Sequence, residues 1–219
     1  MAPPLRADAQ RNLGRVLEAA AEAFAELGPD VTIDEIARRA GVGHGTVCRR
    51  FPTKDALMAA VVGMRIAELT KAAGELLEQP DAGAAFEAFV WHAADSCGRD
   101  RVLFESSGRC DTFAGVAEAK HELHRVVERL IGRAREDGAL RSDLSADDVA
   151  ALIGSAMQAS ARAEQPDAWR RYIQIILDGL RPPIPVPAAA LRAPRRSARR
   201  ETTASAAPVG RGTPQRERP

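Results

Sequence analysis

Between residues 32 and 54 the chain is punctuated so closely that only one local arrangement suits it. Thr32 stands three residues before Glu35, the capping-box spacing that opens a helix, and a short apolar-periodic run from Ile33 to about Ala40 follows. Gly41-Val42-Gly43 ends that run, because glycine takes the positive φ of a tight turn at little cost. A second short helix is predicted from about His44 to Arg50. Phe51-Pro52 stops it, and Thr53 caps a longer helix from about Lys54 to Leu77. Ile36 and Ala40 face inward, Ala37 is small where the second helix crosses, and Val42 and Val47 fill the wedge between the two.

The remainder reads as helix as well. Leu13, Val16, Leu17, Ala20, Phe24 and Leu27 recur at steps of three and four, and Gly28-Pro29 closes that stripe. Phe86, Phe89, Val90, Ala93 and Cys97 share a face. A short segment at 100–107 comes next, then a long helix from about Val116 to Asp137, ended by Gly138. Two further helices are expected at 147–163 and 168–180. Sustained period-two alternation is missing, and aromatics are only 4% of the chain, which disfavours sheet. The fold class is therefore all-α with about nine helices: an N-terminal three-helix helix-turn-helix domain and a C-terminal helical domain. We divide the chain into a flexible arm (1–12), the helix-turn-helix domain (13–55), a helical domain (56–181) and a disordered, basic Pro/Arg-rich tail (182–219). The charge supports that division: residues 1–55 are neutral overall, 56–181 carry −5 and 182–219 carry +6. The tail nearly lacks large apolar side chains, so it cannot offset its own ordering entropy.

A helix-turn-helix leaves the outward face of its second helix free to enter the major groove of DNA, which is wide enough for a helix. That face offers Gly43, His44, Gly45, Thr46, Cys48, Arg49 and Arg50. Thr46 can bond a phosphate or a base edge, His44 can read a base edge, and Arg49 or Arg50 can pair with guanine or phosphate. Thr32 and Lys54, each at the start of a flanking helix, are placed to hold the DNA backbone.

The run from Thr32 to Leu57, TIDEIARRAGVGHGTVCRRFPTKDAL, resembles the TetR family of bacterial repressors, and Ala19, Ala20 and Phe24 before Gly28 resemble that family's first helix. The match is dense over about residues 13–62, where spacing and residue type agree across three helices. The family usually has Tyr where this chain has Cys48, and that Tyr commonly contacts the DNA backbone. Cys is shorter and a poorer donor, so that contact is lost or passes to Arg49 or Arg50. The resemblance implies a sequence-specific regulator, a repressor released from a near-palindromic, double-stranded DNA operator by a small-molecule effector. It implies a helical ligand-binding and dimerisation domain whose last two long helices pair with a second copy, placing two reading helices about one DNA turn (~34–36 Å) apart. Val149, Leu152, Ile153, Ala156, Trp169, Ile173, Ile176 and Leu177 are the candidates for that homodimer interface. Trp91, Phe104, Phe113 and Met157 are the candidates for an effector pocket, with Trp169 a further aromatic that could line it.

Other classes have weaker footing. His92, Cys97, Cys110, His121 and His124 invite a metal site, with His121 and His124 three apart on one helix, but no tight Cys-x2-Cys pair accompanies them. Neither a metal nor another cofactor is expected. The alternative reading is a helical ligand-binding or metal-sensing protein with a weakened DNA-binding head, which Cys48 permits. Nucleophile elbows, phosphate loops and paired carboxylates in a recognisable setting are not found, so an enzyme is not expected. Three cysteines without close pairing, no charged-then-apolar leader and no apolar run near ~18 residues lead us to expect a cytoplasmic protein without a membrane partner.

Overall fold

Side-chain oxygens fix half of the helix starts. In the computed structural model, which describes residues 4–101, 109–162 and 167–182, Thr32 Oγ1 accepts the Glu35 N–H at 3.2 Å and Thr53 Oγ1 accepts the Ala56 N–H at 3.1 Å. Asp81 Oδ1 accepts the Ala84 N–H at 2.9 Å. Ser145 and Asp148 form a reciprocal box, each side chain taking the other's backbone N–H, at 3.2 and 2.9 Å. The helices so defined are α1 (Pro4–Leu27), α2 (Ile33–Ala40), α3 (His44–Arg50), α4 (Lys54–Leu76) and α5 (Ala82–Arg99). After a 3-10 turn over Arg109–Thr112 come α6 (Ala114–Glu136), α7 (Ala146–Arg162) and α8 (Ala168–Leu180).

The chain is all-α. The described residues hold eight α-helices and no strand, close to the nine expected. Most of the short segment expected at 100–107 lies outside the described residues, as does the tail from residue 183 onward. The arm expected at 1–12 is corrected: α1 already runs from Pro4, since proline suits the first turn of a helix and Leu5, Ala7 and Ala9 are good helix formers.

Two clusters of buried apolar side chains organise the helices. The head cluster joins Val16, Ala20 and Phe24 of α1 to Ile36 of α2, Val47 of α3 and Leu57, Val61 and Ile66 of α4, and takes in Cys110 and Val116. The body cluster joins Phe86, Phe89 and Val90 of α5 to Leu130 and Ile131 of α6, Val149 and Ile153 of α7 and Ile173 and Leu177 of α8. The division expected at residue 55 therefore does not fall between cores. The first turns of α4 complete the head, its last turns (Ala73, with Leu69 and Leu76 packed alongside) belong to the body, and residues 1–183 form one compact unit.

Candidate nucleic-acid interface and cavity

The corner between α2 and α3 is built by backbone chemistry. Gly41 takes φ 65°, ψ 35°, and its N–H reaches Arg38 O at 3.2 Å while Val42 N–H reaches Ala37 O at 3.0 Å. This double closure satisfies the last carbonyls of α2 and turns the chain sharply. Val47 is buried, which fixes the roll of α3, and Gly43, His44, Gly45, Thr46, Cys48, Arg49 and Arg50 are all exposed around it. A Cβ added to Gly45 would meet nothing within 4 Å, so the bare backbone there is not required by packing inside this chain.

The basic side chains of α2, α3 and the start of α4 fall into two sets. Arg38 and Arg39 are committed to carboxylates: Arg38 bonds Glu35 through two nitrogens at 2.8 and 2.7 Å, and Arg39 bonds Glu35 at 2.8 Å and Glu26 at 2.7 Å. The hydrogen bonds from Arg38, then those from Arg39, hold the Glu35 carboxyl down at about 2. Arg49, Arg50 and Lys54 have no acidic partner among the described residues. They are the cations at the outer end of α3 and the start of α4, where the sequence placed its DNA contacts. Thr32 is engaged as the α2 cap through its lone pair, which leaves its hydroxyl hydrogen free to donate.

His44 is not a free reader of base edges. Its Nδ1 lies 2.6 Å from Asp34 Oδ1 across the corner, and its Nε2 lies 3.1 Å from Cys48 Sγ one turn along α3. Both ring nitrogens are occupied. The sequence offered His44, Cys48 and Asp34 separately, and only the crossing of α2 and α3 brings them into one row.

The body contains a cavity of about 660 Å³. Its apolar wall is Val62, Ile66 and Leu69 of α4, Phe89 and Ala93 of α5, Leu123 and Val127 of α6, and Ala146, Val149, Ala150 and Ile153 of α7. Arg65, Ser96, Cys97, Asp100, Lys120, His121, His124 and Asp147 supply its polar part. Arg65 is held by Glu68 at 2.9 Å, Asp100 at 3.1 Å and Glu18 of α1 at 3.5 Å. Burial pushes the Asp100 carboxyl up, against the pull of Arg65 and Arg99. Burial, with the Asp100 charge beside it, pushes the Cys97 thiol up to about 12.

The expected pocket residues are elsewhere. Trp91 stacks at a tilt on Trp169, centroids 6.3 Å apart, and Met157 packs near that pair beside Gly98. Phe113 caps the start of α6 and packs on the head cluster. Phe104 lies outside the described residues. In a chain with few aromatics, Trp91, Trp169 and Phe113 serve as packing rather than as lining. What sequence reasoning missed is that α4, the helix running from the head into the body, itself lines the cavity. Arg65, a charge inside the apolar stretch from Ala56 to Ile66, was the available signal.

The interface candidates need the same correction. Val149, Ile153, Ala156, Trp169, Ile173 and Leu177 are buried in this chain's own body, and Leu152 and Ile176 are half-buried against it. On each helix the strongest apolar stripe faces inward. The outer faces are small Ala151, Ser155 and Ala159 on α7, and Ile175 and Gly179 on α8 flanked by half-buried Tyr172 and Ile176, the last being the one candidate that borders this face; Ile175 is 57% exposed. Of the metal candidates, Cys97, His121 and His124 meet at the cavity, where His124 faces Asp147 at 3.4 Å. Cys110 is buried in the head and His92 is exposed. Among the described residues no group of three or more His, Cys, Asp or Glu side chains is placed to hold a metal ion, and no helix is long and apolar enough to cross a membrane.

Comparison with known proteins places this geometry. A family model described as bacterial regulatory proteins, tetR family, matches residues 16–61, and one described as transcriptional regulator SbtR-like, C-terminal domain, matches 81–182. The crystal structure of the TetR transcription regulatory protein from Mycobacterium vanbaalenii is 36% identical. The match covers 81% of this chain and 99% of that one, with a TM-score of 0.63. A TetR transcriptional regulator from Streptomyces coelicolor is 28% identical over 78% of this chain and 99% of its own, with a TM-score of 0.63. An HTH-type transcriptional repressor of Mycobacterium tuberculosis is 47% identical over 57 residues, 26% of this chain and 30% of that protein. An HTH-type transcriptional regulator of the same species is 46% identical over 59 residues, 26% of this chain and 31% of its own length. Similarity to these last two spans about a third of their length.

Proposed function

The chain belongs to the TetR family of bacterial transcriptional regulators, and on that footing we propose that it is a repressor that grips a near-palindromic operator as a homodimer and leaves it when a small molecule occupies the body cavity. The observation that carries the reading is the sorting of charge in the head. Arg38 and Arg39 are neutralised in place, while Arg49, Arg50 and Lys54 stand without carboxylates beside an exposed α3. Unpaired cations around a helix that fits the major groove are what phosphate contacts require. Thr46 and the bare backbone at Gly43 and Gly45 give the close approach. The Mycobacterium tuberculosis repressor, 47% identical over 57 residues, supports the sign of regulation.

The effector acts through α4. That helix begins four residues after the end of α3 and lines the cavity with Val62, Arg65, Ile66 and Leu69. Arg65 joins the cavity to Glu18 of α1, a head helix. A molecule that engages Arg65 or Asp100, or that wedges α4 from α6, favours a state with different head spacing. It shifts the equilibrium only by its difference in affinity for the two states. A second copy docks on the outer faces of α7 and α8, where Tyr172, Ile175, Ile176 and Gly179 form a second apolar stripe at helical spacing. The protein works in the cytoplasm, where its operator is.

Fluorescence anisotropy with duplex DNA from upstream of the protein's own gene tests the proposal. Binding at about 10⁻⁸ M or tighter in moderate salt, at a stoichiometry of two chains per half-site pair, is expected. Affinity no better than about 10⁻⁶ M, equal to that for unrelated duplex, overturns it.

A further inference from the structure

The row Asp34, His44, Cys48 has a chemistry that DNA docking does not use. Asp34 Oδ1 sits 2.6 Å from His44 Nδ1, so the ring donates its Nδ1 hydrogen to the carboxylate. That fixes the tautomer and leaves the Nε2 lone pair facing Cys48 Sγ at 3.1 Å, within reach of the thiol hydrogen. A thiol, a base that accepts its proton and a carboxylate that orients the base are the parts that activate a sulfur nucleophile. All three side chains are exposed, so a reagent can reach the sulfur from solvent. The other two cysteines are less exposed. Cys110 is buried, and the Cys97 thiol is held well above its ordinary range by burial.

We infer that Cys48 is a site of covalent modification by soft electrophiles, hydroperoxides above all, with His44 as its proton acceptor and Asp34 as the residue that positions His44. As Sγ attacks the distal oxygen of a hydroperoxide, its proton passes to Nε2, the S–O bond forms and the O–O bond breaks. The leaving alkoxide or hydroxide takes a proton from His44 or water. Sulfur is oxidised by two electrons to the sulfenic acid, and the hydroperoxide is reduced to an alcohol or water. With an alkylating reagent the same proton transfer accompanies formation of the S–C bond and loss of the halide. Resting on the DNA-binding reading above, the modification has a consequence. It places bulk, and after further oxidation a negative charge, on the exposed side of α3 next to Arg49 in the chain, so the modified head loses DNA.

The test follows iodoacetamide labelling of each cysteine of the full chain by mass spectrometry at pH about 7. His44→Ala is expected to slow labelling of Cys48 about fivefold, well short of the ~10²-fold of an enclosed catalytic base because the site is open to water. Added imidazole should restore part of that rate, which a merely structural role for His44 would not allow. Asp34→Asn, which leaves α3 untouched, should give a smaller loss. Unchanged labelling of Cys97 and Cys110 in the same digests reports an intact fold. Equal Cys48 rates in wild type, His44→Ala and Asp34→Asn overturn the inference. On the DNA side, hydrogen peroxide should weaken binding to the upstream duplex about tenfold in wild type and leave Cys48→Ser at its own starting affinity. An equal loss in Cys48→Ser overturns the consequence. Failure of the untreated protein to bind the duplex counts against the proposed function alone, because the labelling rates still decide the modification site.

Discussion

The head and the body are built from similar helices but leave different things undone. In the head, Ala19, Ala20, Ala21, Ala23 and Phe24 pack α1 tightly against α2 and α4, and what remains unsatisfied is charge on the surface: Arg49, Arg50 and Lys54. In the body, carboxylates hold several of the surface arginines, Arg141 by Asp143 and Arg181 by Glu87 among them, and what stands out is volume: about 660 Å³ among α4, α5, α6 and α7. One region is prepared for a polyanion and the other for an apolar guest with a few polar groups. The shared element is α4, whose first turns belong to the tight core and whose middle lines the loose one.

The difference in packing can be attacked directly. Phe24→Ala empties a site with no exposure in a dense core and should lower stability by about 3–5 kcal/mol, read from urea unfolding. Next in size, the same enlargement should have opposite outcomes in the two regions. Ala20→Leu adds volume where there is none and should destabilise by about 1–3 kcal/mol. Ala93→Leu adds it along the cavity wall and should leave the melting temperature level or raised while reducing uptake of apolar ligands. Equal losses from both would mean that the cavity is not usable space.

This contrast also explains what could be read in advance. The helix-turn-helix was legible because its determinants are local: the Thr32–Glu35 cap, the Gly41 turn and the Phe51-Pro52 stop lie within a few residues of one another. The inward faces of α7 and α8 were legible as stripes, but a stripe does not say whether it meets its own chain or a second copy. Val149, Ile153 and Ile173 proved to be own core. The walls of the cavity were not legible, since it is made by residues from four helices failing to meet, and Arg65 was its one trace in the sequence. The aromatics drew attention because they are few, yet Trp91 and Trp169 pack on each other. The pairing of His44 with Asp34 depends on the angle between α2 and α3, which spacing along the chain does not give.

The charge side of the comparison yields separations of function. Arg49→Ala, Arg50→Ala and Lys54→Ala should each weaken DNA binding about three- to tenfold and lower the slope of log affinity against log salt by about one, with stability within about 0.5 kcal/mol of wild type. Affinity unchanged in all three would remove the docking face. Gly45→Ala has open space in the free chain and should gain up to about 1 kcal/mol in stability as a better helix former, yet bind DNA more weakly because a methyl group meets the duplex. A variant that is both more stable and a tighter binder would show that α3 does not approach the DNA at that point.

The smallest effect concerns the cations that the head has neutralised. Glu35 holds Arg38 and Arg39, and its carboxyl is kept down at about 2 against a usual 4.5 by the Arg38 and then the Arg39 hydrogen bonds. A depressed carboxyl contributes stability that is whole above its ordinary value and is lost as the pH falls from there toward 2. Glu35→Gln removes that contribution at every pH, so its stability should match wild type at pH about 2 and fall below it at neutrality, by little because the group is at the surface. The same change releases the Arg38 guanidinium, while Arg39 keeps its bond to Glu26. Non-specific DNA binding should therefore rise slightly and its salt slope steepen, while preference for the operator over random duplex narrows. If Glu35→Gln leaves both slope and preference unchanged, Arg38 lies away from the DNA, and the contrast between committed and free cations reduces to Arg49, Arg50 and Lys54 acting on their own.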